Sequence, residues 1–138
     1  SLCLWMLWIR FAKRNWIRGG SNINKRQTGT EYETLAVAYL EKHDVKIVER
    51  NFRNRFGEID IIGYDEEYLV FFEVKYRRDE RKGSPIEAVS PKKCHTICRV
   101  ADYYRMKNGI GDFSPMRFDV IAICGDEIEW FRNAFAYC

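Results

Sequence analysis

Two carboxylates and an ammonium stand out in this chain because they interrupt apolar sequence at strand spacing. Asp60 lies in Gly57-Glu58-Ile59-Asp60-Ile61-Ile62-Gly63, and Glu73 and Lys75 lie in Leu69-Val70-Phe71-Phe72-Glu73-Val74-Lys75, with the turn-like Tyr64-Asp65-Glu66-Glu67 between. Both segments are rich in Ile, Val and Phe and are flanked by Gly or acidic residues, which predicts the two strands of a hairpin. Strand alternation puts Glu73 and Lys75 on one face and Phe72, Val74 and Tyr76 on the other; Glu58 and Asp60 likewise share a face. Such charges are costly in oily surroundings if left unpaired. The pattern therefore requires either a ligand bound at the hairpin or mutual neutralisation of the charges.

The flanking sequence supplies elements to hold that hairpin. Thr30-Glu31-Tyr32-Glu33 has the form of a capping box, and strong helix formers follow it to Lys42, so a helix is expected to start here. Ala36, Val37 and Leu40 form its apolar stripe, and Glu33 falls on the edge of that stripe. On this pattern alone Glu33 is a capping residue that returns to the Thr30 backbone N–H. Residues 45–52 read as a strand. Ser90-Pro91 opens a second helix with Ser as N-cap and Pro at its first position. Its apolar stripe is Cys94, Ile97, Cys98, Ala101 and Tyr104, and Gly109 ends it. Residues 117–124 and 127–131 read as two further strands. The order is α-β-β-β-α-β-β, an α/β fold; a helix between the third and fourth strands permits a parallel crossover, so the sheet is expected to be mixed, with helices packed on it.

With 138 residues, 46% of them hydrophobic, the chain suits one domain with a real core. The five cysteines are odd in number and lack paired zinc-ligand spacing, which points to a reducing cytoplasm and no disulfide framework. Cys94 and Cys98 bracket His95, but both fall on the helix stripe, where free Cys acts as a small hydrophobe. A net charge of +3 does not by itself demand a polyanionic partner. Its distribution says more: Arg50, Arg53 and Arg55 precede the first acidic strand, and Arg77, Arg78, Arg81 and Lys82 follow the second. These groups form either a phosphate-backbone footprint or a solvated Arg-rich rim. Residues 1–27 read as an extension outside a domain spanning 28–138. The apolar run at residues 2–9 is shorter than the ~20 residues of a spanning helix, and basic residues follow it rather than precede it, unlike a secretory signal. It is either an interfacial anchor carrying Trp5, Trp8 and Trp16 or a misassigned translation start.

An acidic residue on one strand followed by Glu-x-Lys on the next resembles the core of restriction-endonuclease-like nucleases, written PD-(D/E)xK. More closely, Gly57-Glu58-Ile59-Asp60, Phe72-Glu73-Val74-Lys75 and Arg117-Phe118-Asp119-Val120 resemble the YraN family of small bacterial proteins, themselves similar to archaeal Holliday-junction resolvases. The likeness covers about residues 28 to 135. It includes Gly29-x-x-x-Glu33, Arg50-Asn51-Phe52, Lys93 in the second helix and Asn133-Ala134-Phe135, all in the same order. The general nuclease pattern has Pro-Asp where this chain has Ile59-Asp60; that Pro is not a ligand.

The resemblance implies a restriction-endonuclease-like mixed sheet and metal-assisted phosphodiester hydrolysis. Asp60 and Glu73 would hold Mg²⁺, with Mn²⁺ as substitute, since two carboxylates and a phosphate oxygen suit a hard cation that keeps several waters. The Val74 carbonyl would be a further ligand. Lys75 would orient water or balance charge at phosphorus, and Glu33 would reach the site from the first helix, joining Asp60, Glu73 and Lys75 as catalytic residues. Arg53, Arg55, Arg77, Arg78 and Lys93 would contact nucleic acid, Lys93 near a helix N-terminus. Competing structural roles are a Glu58 pair with Arg53 or Arg55 and an Arg117–Asp119 salt bridge. The leading expectation is thus an endonuclease or resolvase-like protein acting on branched or otherwise irregular DNA, a homodimer by analogy with resolvases, with no small-molecule cofactor. The alternatives are a non-catalytic nucleic-acid-binding module of the same fold, and a partner- or membrane-docking protein that uses the aromatic N-terminus.

Overall fold

The computed structural model describes residues 25–77 and 89–138, with side chains from Gly29 onward in the first stretch. The N-terminal extension with Trp5, Trp8 and Trp16, and the basic residues Arg78, Arg81 and Lys82, lie outside the described residues. The elements are α1 (Lys25–Lys42), β1 (Lys46–Asn54), β2 (Gly57–Asp65), β3 (Tyr68–Arg77), α2 (Pro91–Lys107), β4 (Met116–Cys124) and β5 (Glu127–Phe135). They follow the expected α-β-β-β-α-β-β order. The five strands form one sheet in the order β1-β2-β3-β4-β5. All neighbours are antiparallel except β3 and β4, which run parallel because α2 carries the chain back between them.

Two boundaries differ from expectation. Helix α1 starts at Lys25, so Thr30 lies within it and is not its N-cap. A cap needs non-helical backbone at the helix start, and here the chain is already helical. Glu33 is thereby relieved of the capping role. Strand β5 runs on past residue 131 to Phe135, because a bulge opposite Asp119 absorbs the polar Arg132-Asn133 step and pairing resumes at Phe118↔Phe135. Helix α2 is capped as its sequence requires: Ser90 Oγ accepts the Lys93 N–H at 3.1 Å, Pro91 opens the helix, and Gly109 follows with φ 64°.

The strand faces alternate and the two helices take opposite sides. Phe71 and Phe118 pair across β3–β4 and pack with Ile62, Leu69, Ile97, Cys98, Val100, Ala101 and Tyr104 beneath α2. Tyr76, of opposite parity to Phe71 on β3, stacks on Tyr32 of α1 with ring centroids 3.9 Å apart. Full burial of each such apolar side chain contributes about 1.5–3 kcal/mol. Cys98 belongs to this packing and Cys94 to a smaller cluster with Val89 and Val120, while His95 is exposed, so the helix stripe accounts for both cysteines.

Gly57 begins β2 at φ 153°, and a Cβ there would stand 2.6 Å from Thr96 Cγ2 on α2. Threonine in a helix has little rotamer freedom to yield. Gly57→Ala is expected to cost about 1–3 kcal/mol, read as a lower urea midpoint; an unchanged midpoint would mean that the β2–α2 contact gives way freely. Among the described residues, no helix is long and apolar enough to cross a membrane.

Candidate active site

The β2–β3 ladder runs from Asp65↔Tyr68 to Ile61↔Phe72. One step further, Asp60 faces Glu73, and there the strands part: Asp60 Oδ2 accepts the Val74 N–H at 2.8 Å, a side chain taking the place of a backbone acceptor. Strand β1 bends at the same level. Asn51, between the pairs Arg50↔Ile61 and Phe52↔Ile59, adopts φ 52°. Asn tolerates this left-handed conformation better than most residues. Arg50 accordingly reaches Thr34 of α1 at 3.0 Å, whereas Phe52, two residues on, meets Tyr104 of α2 edge-on at 5.2 Å. In an unbroken strand the two would share a face.

The same irregularity corrects the expected alternation in β2. Ile59 and Ile62, of opposite parity, both join the core beneath α2. Glu58 and Asp60, both ahead of that break, each act on the Glu33 carboxyl of α1. Glu58 also pairs with Arg53 at 2.7 Å on the exposed edge, as the structural reading of that residue expected. An exposed pair of this kind contributes about 1 kcal/mol at most.

Asp60 and Glu73 are 9% and 6% exposed, which is rare for carboxylates. Burial, then the neighbouring Glu73 charge, pushes the Asp60 carboxyl from its ordinary 3.8 up to about 7; the Val74 N–H and Lys93 act against this, and Glu58 adds a smaller repulsion. Two ammoniums converge on one Glu73 oxygen: Lys75 Nζ lies 3.3 Å and Lys93 Nζ 3.8 Å from Oε1. Lys93 thus belongs to this cluster from the third position of α2. Glu33 is partly buried on α1, and its carboxyl is raised by burial, lowered by a hydrogen bond from Asn51, and raised again by Asp60. The fold therefore brings Glu33, Asp60, Glu73, Lys75 and Lys93 together. Arg53 lies near the end of β1, Arg55 in the β1–β2 turn, and Arg77 ends β3.

Asn51 is the residue whose part here was not legible beforehand. The Arg50-Asn51-Phe52 signature was visible, but a mid-strand Asn signals a left-handed turn only once its paired strand is known. Asp119, by contrast, lies away from the cluster, bonded to Arg117, Trp130 and Asn133. The structural reading of that residue holds.

The shifted Asp60 has a consequence for stability. The folded carboxyl keeps its proton up to about pH 7, whereas the unfolded one releases it near 3.8. Between those values the folded state binds more protons, so metal-free stability falls as pH rises and levels off above the window. Asp60→Asn is expected to remove that slope and raise the metal-free melting temperature at pH 8 by about 5 °C or more. A variant that melts below the parent at pH 8 would contradict this assignment.

Residues 32–123, which hold Glu33, Asp60, Glu73, Lys75, Lys93 and Asp119, match the model of the family described as Uncharacterised protein family UPF0102. A UPF0102 protein of Photobacterium profundum is 46% identical over 114 residues, covering 80% of this chain and 91% of that protein. One from Fusobacterium nucleatum subsp. nucleatum is 42% identical over 111 residues (80% and 92%), and one from Lachnoclostridium phytofermentans is 42% identical over 113 residues (82% and 96%). With that share of its length matched, the chain belongs to the UPF0102, or YraN, family.

Proposed function

We propose that the protein is a divalent-metal-dependent endonuclease that hydrolyses phosphodiesters in branched or otherwise irregular DNA. The observation that carries this reading is the buried Asp60 and Glu73 pair where β2 and β3 part, with Lys75 and Lys93 on one Glu73 oxygen. Folding gains nothing from two buried carboxylates that repel each other. A bound cation removes that cost.

The donor set fits a hard cation. The Val74 N–H is bonded to Asp60 Oδ2 and the two lysines face Glu73 Oε1, so Asp60 and Glu73 would hold Mg²⁺ or Mn²⁺ through their other oxygens, with the Val74 carbonyl as a further donor. Mg²⁺ keeps several waters and takes substrate phosphate oxygens, so it needs no all-protein cage.

The cation, when bound, supplies Lewis-acid polarisation of a phosphoryl oxygen and lowers the pKa of water. Lys75 balances the negative charge that builds on the phosphoryl oxygens. Lys93, beside the N-terminus of α2, holds a phosphate next to the scissile one. Glu33, with its raised pKa, accepts and returns a proton. Arg53, Arg55, Arg77 and Arg78 engage the backbone and set the salt dependence of binding. A four-way junction offers two strands to cut, so the proposal includes a C2 dimer. The competing reading, a binder without catalysis, draws on the same two ammoniums, which already neutralise Glu73.

Titration calorimetry with Mn²⁺ tests the metal site. Asp60→Asn and Glu73→Gln are each expected to weaken Mn²⁺ binding about 10-fold or more while the domain stays folded. Unchanged affinity in both variants would remove the proposed site.

A further inference from the structure

We propose that Phe56 is a stacking platform for an unpaired DNA base beside the cleavage site, an inference that rests on the nuclease reading and names the feature of DNA it selects. Arg55 and Phe56 form the tip of the β1–β2 turn, between the paired residues Asn54 and Gly57. Tight hairpin tips favour Gly, Asn or Asp. Here the tip instead presents a phenylalanine, and that residue is 45% exposed.

The ring is held out by a fixed turn. Asn54 Oδ1 accepts the backbone N–H groups of Phe56 at 2.8 Å and Gly57 at 3.3 Å. Gly57 in turn lies so close to Thr96 of α2 that a Cβ would not fit. The aromatic side chain therefore projects from a braced support rather than a loose loop, and little ordering is required when a base docks.

The surroundings say what would dock. The Arg55 guanidinium lies 4.8 Å from the Phe56 ring centroid, and the Arg53 side chain is 69% exposed. An exposed aromatic with Arg55 against its ring, and with Arg53 three residues before it paired to Glu58, matches a splayed base and an adjacent phosphate. A protein partner would call for a wider apolar surround. Phe56 immediately precedes β2 and lies four residues before Asp60, roughly 13 Å at strand rise. That is the reach of about four stacked nucleotides at about 3.4 Å each. A base unstacked at a branch point would rest on Phe56 while a phosphate a few nucleotides away reaches the carboxylates. In a continuous duplex the bases are stacked and unavailable, so the platform favours branched or flapped DNA.

The test uses the full chain in EDTA, so that nothing is cleaved. A duplex and the same sequence with a single-stranded flap each carry 2-aminopurine, placed at the first unpaired position in the flap substrate. The wild-type protein is expected to quench the probe in flapped DNA, and Phe56→Tyr to retain that quenching. Phe56→Ala and Phe56→Leu should lose it, with Phe56→Ala binding flapped DNA about 5- to 100-fold more weakly and duplex as before. Leucine separates ring stacking from apolar bulk, and the exposed position leaves the melting temperature unchanged. Equal flap affinity in wild type and Phe56→Ala, or an equal loss on duplex, would overturn the platform and leave the nuclease reading standing. Absence of wild-type binding to any DNA form would overturn both. Cleavage failing while the flap preference still follows Phe56 would remove the nuclease chemistry and keep the platform.

Discussion

Asp119→Ala is expected to destabilise the domain by about 3–5 kcal/mol, the scale seen when one partner of a buried ion pair is removed. Asp119 is fully buried. Its carboxylate accepts from Arg117 Nε at 3.1 Å on both oxygens, from Trp130 Nε1 at 2.8 Å and from the Asn133 N–H at 2.9 Å. Alanine leaves Arg117 with Asp65 as its remaining carboxylate partner, and takes the acceptor from two further donors, the Trp130 indole and the Asn133 N–H. The bulge in β5 that turns the Asn133 N–H inward would lose its reason to form. Urea denaturation reads the loss directly, and Asp119→Asn should recover only part of it, because its amide keeps one acceptor oxygen and sets an NH2 donor against the donors that faced the other. An Asp119→Ala protein within about 1 kcal/mol of the parent would mean that β4 and β5 are held by packing alone.

Lys75→Met is expected to slow cleavage about 10²-fold or more, the scale of one electrostatic stabiliser of the transition state. Its fold should survive, because Lys93 also stands at Glu73 Oε1 and keeps that buried carboxylate from losing every counter-charge. Metal and DNA affinity should change little, so the loss falls on kcat rather than KM. If Lys75 were only a counter-charge, the melting temperature would fall while the rate per folded molecule persisted. Rate and melting temperature measured on one preparation separate these outcomes.

What was legible in the sequence followed from local rules. Alternating Ile, Val and Phe runs around a turn gave the hairpin, and Ser90-Pro91 with Gly109 bounded α2 closely. The helix between β3 and β4 indicated their parallel pairing. The misses were features that depend on what lies beyond the local window. Thr30-x-x-Glu33 fits a capping box only if the preceding residues are not helical, and residues 25–29 are. Arg117 and Asp119 were legible as a pair, but Trp130 and Asn133 join them through a bulge that no spacing rule announces. Asp60, Glu73 and Lys75 could be placed on adjacent strands from alternation. The gap that turns Asp60 onto the Val74 N–H could not, because neither it nor the left-handed Asn51 at the same level of β1 follows from strand alternation.

The most direct measurement of the central claim is cleavage of linear, flapped and four-way DNA in Mg²⁺, Mn²⁺ or EDTA by the wild-type protein and by Asp60→Asn. The account predicts cuts in flapped or four-way DNA that require the metal, with little cutting of linear duplex. It also predicts that Asp60→Asn reduces the rate by about 10²-fold or more while still binding DNA in EDTA. Absence of cleavage of every DNA form in both metals, or an Asp60→Asn protein that cuts at the wild-type rate, would contradict it.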